Sequence, residues 1–136
     1  MPLTLEVAKT IAAACEKKAQ EIGIPMGITI VDAHGRLILS VRMDGASWIT
    51  PDVARAKACA AAAFGMPTSQ MREMAQTFPD FFAGLTTITG GQFAAAGGGL
   101  PLREGGQIIG GLGVAGGPPE LDEMCAEAGA RQIGGA

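Results

Sequence analysis

Apolar residues near the start of the chain recur at alternating steps of three and four. Leu5, Ala8, Ala12, Cys15, Ala19 and Ile22 therefore share one face, which predicts an amphipathic helix over residues 4–22. Thr4 suits its N-cap, and Gly23 followed by Pro25 stops it. Glu6, Lys9, Glu16 and Lys17 fall on the solvated side. The period then changes to two. Leu37, Leu39, Val41 and Met43 alternate with Arg36, Ile38, Ser40 and Arg42. Residues 26–32 and 36–43 thus form a predicted hairpin that turns at Asp32-Ala33-His34-Gly35.

Thr50-Pro51-Asp52 opens a second helix, with Thr50 as cap and proline in the first turn. Its alanine-rich run ends at Phe64, before Gly65-Met66-Pro67. Thr68 or Ser69 caps a third helix that reaches about Thr77. Residues 78–99 break the regular patterning. They join Phe78-Pro79-Asp80-Phe81-Phe82 to a strand-like Leu85-Thr86-Thr87-Ile88-Thr89 and to glycine clusters at 90–91 and 97–99. The expectation there is a loop-rich lid or pocket wall holding one short strand. Residues 100–103 and 107–114 make a second hairpin across Glu104-Gly105-Gly106. Gly116-Gly117-Pro118-Pro119 parts it from a last helix, residues 120 to about 133, whose acidic first turn suits the helix dipole. Hairpins in place of parallel crossovers predict an α/β (α+β) domain with an antiparallel sheet of about five strands flanked by helices.

Composition narrows the class. A chain of 136 residues suits one domain, 1–136, with a real core. No uncharged apolar run approaches the roughly 20 residues of a membrane span. Met1-Pro2-Leu3-Thr4-Leu5-Glu6 lacks the basic-then-apolar order of an export signal, so a cytoplasmic protein is expected. A net charge of -3 and scattered basic residues argue against a nucleic-acid surface. Cys15, Cys59 and Cys125 lie far apart and read as reduced thiols. With one histidine and no cysteine pair, a closed zinc site has too few ligands. The 21 glycines permit close backbone approach between layers, between subunits or onto a ligand.

Several residues could carry chemistry. Gly111-Leu112-Gly113-Val114-Ala115-Gly116 matches a dinucleotide fingerprint, but the 20 residues after Gly116 cannot supply the second strand and its ribose-binding acid. The glycines instead let a helix, a subunit or a flat ligand approach that strand. His34 is the sole imidazole, either a solvated turn residue or an axial haem ligand. Arg42 ends its strand just before the chain reversal at Asp44-Gly45. Lys57 interrupts a helix that is otherwise nearly all alanine; it either snorkels to water or faces a pocket holding an anion. Arg55 points to a different face. Cys15 and Cys125 read as core, and Asp122 or Glu123 either completes a helix dipole or serves a pocket as base. One histidine cannot furnish a Ser/His/Asp or Cys/His arrangement. Trp48 is a lid, an interface anchor or core.

Four segments in order carry a resemblance. Ile30-Val31-Asp32-Ala33-His34-Gly35-Arg36-Leu37 with Arg42-Met43-Asp44-Gly45-Ala46 resembles the first hairpin of the GlcG/HbpS-like family. Ala54-Arg55-Ala56-Lys57-Ala58, with Phe64 and Pro67-Thr68, is similar to its next helix and exit. Leu100-Pro101-Leu102 and residues 109–117 are similar to its closing hairpin, and residues 122–129 to its last helix. The resemblance implies a profilin-like α-β-α fold, homo-oligomers, haem binding in some members and similarity to the C-terminal domain of PduO-type cobalamin adenosyltransferases. Carried onto this chain, it implies ligand-binding roles for Arg42, Asp44, Lys57, Gly111 and Gly113, and a motif position at Asp122.

Two functions follow as expectations. One is a cytosolic oligomer binding haem or another flat acidic ligand, with Arg42 or Lys57 pairing the carboxylates and His34 reaching iron. The other is a small catabolic enzyme acting on a carboxylated intermediate, with Arg42 and Lys57 binding it and Asp122 or Glu123 moving the proton. Were His34 not a ligand, iron would rely on oxygen or sulfur donors.

Overall fold

The computed structural model describes residues 3–134. Helix α1, Leu5–Ile22, begins where the Thr4 hydroxyl accepts the Val7 N–H at 3.1 Å and ends at Gly23 in the left-handed region. Strands β1 (Gly27–Asp32) and β2 (Leu37–Arg42) form the first hairpin. Helices α2 (Thr50–Phe64), α3 (Thr68–Thr77) and α4 (Pro79–Ile88) follow, then β3 (Gly99–Glu104), β4 (Gln107–Ala115) and α5 (Pro119–Ala130). All strand pairs are antiparallel, in the order β2-β1-β4-β3.

Alternation divides the sheet into two faces. Ile28, Ile30, Leu100, Leu102, Leu112 and Val114 project to one side, where the apolar stripe of α1 and the Cys125, Ala126 and Ala130 face of α5 bury them. The opposite side carries Gly27, Gly99, Gly111 and Gly113, and there α2 lies against the backbone. A Cβ on Gly113 would strike the Ala54 carbonyl oxygen, and one on Gly111 the Ala58 carbonyl. Alanine on the helix and glycine on the strands together allow this approach.

Two sequence expectations are corrected. The sheet has four strands rather than about five. The strand-like 85–89 segment is the end of α4. Pro79 starts that helix, and Phe82 turns into a small second core with Ala60, Phe64, Met71 and Phe93. Burial of Phe82 at helical spacing overrides the strand preference of Thr86, Thr87 and Ile88. Cap assignments also shift. Thr50 does not cap α2; its hydroxyl donates to Ser47 O at 2.9 Å. The Thr68 hydroxyl donates to Ala96 O and accepts Gly99 N–H at 2.8 Å, tying β3 to α3 instead of capping it.

Glycine substitutions test the layer contact. Gly113→Ala should destabilise by roughly 3 kcal/mol or more, because backbone must move to admit the methyl. Gly84→Ala in α4, where nothing lies within 4 Å of the new Cβ, should stabilise by about 0.5–1 kcal/mol. Paired thermal and urea melts read both changes.

Candidate functional site

The proposed functional residues do not gather at one place. Lys57 leaves α2 beneath the sheet end and is 3% exposed. Its Nζ donates to Val114 O at 3.0 Å and to Asp122 Oδ2 at 3.1 Å. Asp122 Oδ1 accepts the Gly117 N–H at 2.8 Å. The pair is sealed: a Cβ on Gly98 would come within 2.9 Å of Lys57 Nζ. Lys57 thus neither snorkels nor faces an open pocket; it ties α2, β4 and α5 together. Burial pushes the Asp122 carboxyl above its ordinary value, and the Lys57 ammonium and then the Gly117 N–H pull it part of the way back.

Gly111 and Gly113 lie under α2, the first of the three approaches the glycines permit. Arg42 and Asp44 border a shallow cleft with Glu16, Gln20 and Met43. Arg42 opposes Gly27, while Leu37 opposes Val31 near the turn. Five residues of strand, roughly 17 Å, therefore part Arg42 from the His34 end. Glu123 accepts the Ser69 hydroxyl at 2.7 Å, on yet another cleft shared with Glu127 and Arg131.

His34 stands at a hollow of its own, comparable in volume to the cleft that Arg42 and Asp44 border. Asp32 Oδ1 accepts the His34 N–H at 2.8 Å and the Arg36 N–H at 3.0 Å, and Gly35 takes a φ of 80°, so the turn has a fixed form. What burial Asp32 has raises its carboxyl, but the Arg36 and His34 N–H groups outweigh that and hold it below its ordinary value. Beside this turn opens a cleft of ≈ 370 Å³, walled by Ala33, Cys59, Ala63, Gln92 and Phe93. Such a volume is within the range of small-molecule sites.

Cys59, Gln92 and Phe93 were not singled out from the sequence. Cys59 Sγ donates to Gly35 O at 3.4 Å and lies 3.9 Å from Gln92 Oε1. The available signal was spacing: Arg55 and Cys59, four apart on α2, share a face that Lys57 does not. Burial raises the Cys59 thiol, and the Arg55 guanidinium draws it back through its charge and a hydrogen bond. The other thiols lie deeper. Burial, then the nearness of Cys125, pushes Cys15 up to about 12; burial, then the Asp122 charge, pushes Cys125 up to about 11. Among the described residues, no three His, Cys, Asp or Glu side chains group to hold a metal ion, and no helix is long and apolar enough to cross a membrane.

Fold and cleft define a mixed α/β domain with one antiparallel sheet and a small-molecule-sized hollow at its first hairpin. Residues 3–131 match the family described as haem degrading protein HbpS-like, and the chain belongs to that family. It is 35% identical over 125 residues to an uncharacterized 15.0 kDa protein of the dhaT-dhaS intergenic region of Citrobacter freundii, covering 92% of this chain and 87% of that one. Among solved structures, a PduOC:heme complex is similar with a TM-score of 0.90 and 29% identity, covering 100% of this chain and 98% of that one. A double mutant of HbpS from Streptomyces reticuli gives 0.87 and 32%, covering 98% and 88%.

Removing Lys57 should expose how much its partner depends on it. Lys57→Met leaves Asp122 buried without its cation and should destabilise by about 3–5 kcal/mol. Without the ammonium, the Asp122 pKa rises further above its unfolded value, so stability lost at neutral pH returns as pH falls and the carboxyl takes up its proton. The gap in melting temperature between variant and wild type should therefore be wider at pH 8 than at pH 5. A constant gap would mean that Asp122 is not the group responsible.

Thiol labelling separates the cysteines. A disulfide reagent at pH 8 should modify one thiol in the native protein, Cys59, and all three in urea; peptide mapping identifies the site. Native labelling of Cys15 or Cys125 at a comparable rate would contradict their placement.

Proposed function

We propose that this chain is an oligomeric cytoplasmic protein that binds haem, or a similar flat carboxylated ligand, in the cleft beside His34. The observation that carries this reading is the imidazole at the edge of a ≈ 370 Å³ hollow that Ala33, Ala63 and Phe93 line beside the polar Thr89 and Gln92. Ala33, Ala63 and Phe93 suit an apolar ring face, and His34 suits its iron. The family description and the haem-bound PduOC relative point to the same ligand.

The residues in the cleft fit the group in part by replacement of the expected cations. Lys57 is already paired with Asp122, and Arg42 lies at the far end of β2. Carboxylates of a ring held here would instead meet Arg36, exposed in the same turn, or Arg55 on the flanking face of α2. Haem would supply a redox-active, Lewis-acidic iron; the chain would hold the ring, set its orientation and limit water at one face.

Assembly is supported by apolar side chains left in water. Trp48 is 73% exposed, Phe81 58% and Ile88 79%, and β2 is an edge strand. Three free thiols fit a reducing compartment.

Titration of the purified protein with haemin, followed by absorbance, tests the ligand. The expected outcome is a saturable Soret shift near one haem per chain, weakened or displaced in His34→Ala. Absence of saturation in the wild type would overturn the reading, and a shift indifferent to His34 would remove the imidazole from it.

A further inference from the structure

The hollow beside His34 has no lysine or arginine among the residues that line it. Arg42 belongs to the same hairpin but ends its far strand. That strand, β2, is an unprotected edge of the sheet. The opposite edge, β3, carries Pro101 and is tied to α3 through Thr68, whereas β2 holds neither proline nor lysine. The Met43 N–H donates to Met26 O at 3.0 Å, inward toward β1. Bonding direction alternates along an antiparallel strand, so the N–H and C=O of Ser40 and Arg42 point outward from the edge.

The side chains along this edge complement a second copy of themselves. Arg36 precedes β2 and Asp44 follows it, both exposed and each four positions from Ser40. Antiparallel pairing of two β2 edges about Ser40 sets Arg36 of each copy opposite Asp44 of the other. Slipping the register by two residues sets Arg36 against Arg42 one way and leaves Asp44 facing Ile38 the other way. Two exposed apolar residues also match. Leu37, 48% exposed, opposes Val31, which packs on Ala58, so it lies on the α2 side. Trp48, 73% exposed, stands on that side at the other end, two residues before the Thr50 backbone that rests on Gly27, opposite Arg42. The same pairing carries each Leu37 toward the other copy's Trp48.

We propose that two copies of this chain join through their β2 edges, antiparallel about Ser40, and that each lends its Arg42 to the His34 hollow of the other. This rests on the oligomeric, haem-type reading above and gives it an interface and a further cation. Within one chain roughly 17 Å of strand parts Arg42 from the His34 end. Across the pair, Arg42 of the second copy comes opposite Ile38 and, like the Gly27 it opposes in its own sheet, faces the α2 side, where the hollow opens. Its guanidinium is then placed to meet a ligand carboxylate at the rim.

Sedimentation velocity tests the interface without any ligand. Wild type should sediment as a dimer or an even multiple of one. Arg36→Asp and Asp44→Arg should each weaken association about tenfold or more, and the double variant should recover most of the loss. Haemin titration tests the shared site: Arg42→Ala should weaken haemin about tenfold but leave its dimethyl ester unaffected. A mixed dimer of one His34→Ala chain and one Arg42→Ala chain should regain a single site of wild-type affinity, because one hollow then holds both native residues. A monomeric wild type would overturn the oligomeric reading and this one together. An oligomer indifferent to both charge reversals would overturn the β2 interface alone. No recovery in the mixed dimer would overturn the loan of Arg42. Failure of wild type to bind haemin would overturn the haem reading and the role of Arg42 with it, while sedimentation would still decide the interface.

Discussion

The depth at which α2 lies on the sheet governs the rest of the molecule. A helix resting on ordinary side chains stands well clear of the strands; here glycines at 27, 99, 111 and 113 remove that spacer, and alanines complete the contact from above. Backbone then meets backbone, with Ala54 and Ala58 carbonyls directly over β4. This close seat fixes what each remaining side of α2 can face. One side carries Lys57 into the space below Gly98. Another brings Cys59 and Ala63 level with the β1–β2 turn, where they become the wall of the His34 cleft. The core between the sheet, α1 and α5 is built on larger residues and imposes no such constraint.

The buried ion pair follows from the same seat. A lysine on a helix pressed this closely to a sheet has no path to water, so its charge must be met inside. Val114 O and Asp122 meet it, and Asp122 in turn accepts the Gly117 N–H as the chain leaves β4. The pair is thereby a joint among three elements. Its net contribution is small compared with the penalty for losing one partner, since both ions were taken from water to make it. Proton transfer on a substrate would require at least one of them to reach a ligand, and the geometry spends both on each other.

Much of the fold was legible because periodicity is a local signal. The three-four spacing of Leu5 to Ile22 and the alternation of Leu37 to Met43 gave α1 and the first hairpin nearly to the residue. Residues 85–89 misled because β-branched side chains favour strands locally, while the deciding contact, Phe82 against Phe64 and Phe93, is tertiary. The glycine stripe was visible, but sequence cannot say whether helix, subunit or ligand fills it. Arg42 and His34 are near in sequence and in one hairpin, yet an extended strand carries them to opposite ends. Lys57 was flagged by its alanine surroundings, and its true environment was neither of the two considered. Cys59 carried no signal of its own; only the turn folding over it makes it part of a site.

The cleft borrows its walls from parts that also stabilise the domain: Phe93 belongs to the second core, and Cys59 packs against Val31, Ala58 and Ala62. Its hairpin wall is set by Asp32, whose carboxylate gathers the His34 and Arg36 N–H groups and stays ionised below the usual carboxylate range. Its helix wall is set by α2, and its third side comes from Gln92 and Phe93, just past the glycines that end α4. His34 and Gln92, both exposed at the rim, take no part in the glycine contact or the ion pair. Family likeness over residues 3–131 therefore speaks first for the shared scaffold. The side chains that this particular chain places around the cleft, His34, Cys59, Gln92 and Phe93 among them, are set by the turn, by α2 and by the segment after α4 separately from that scaffold's inner core.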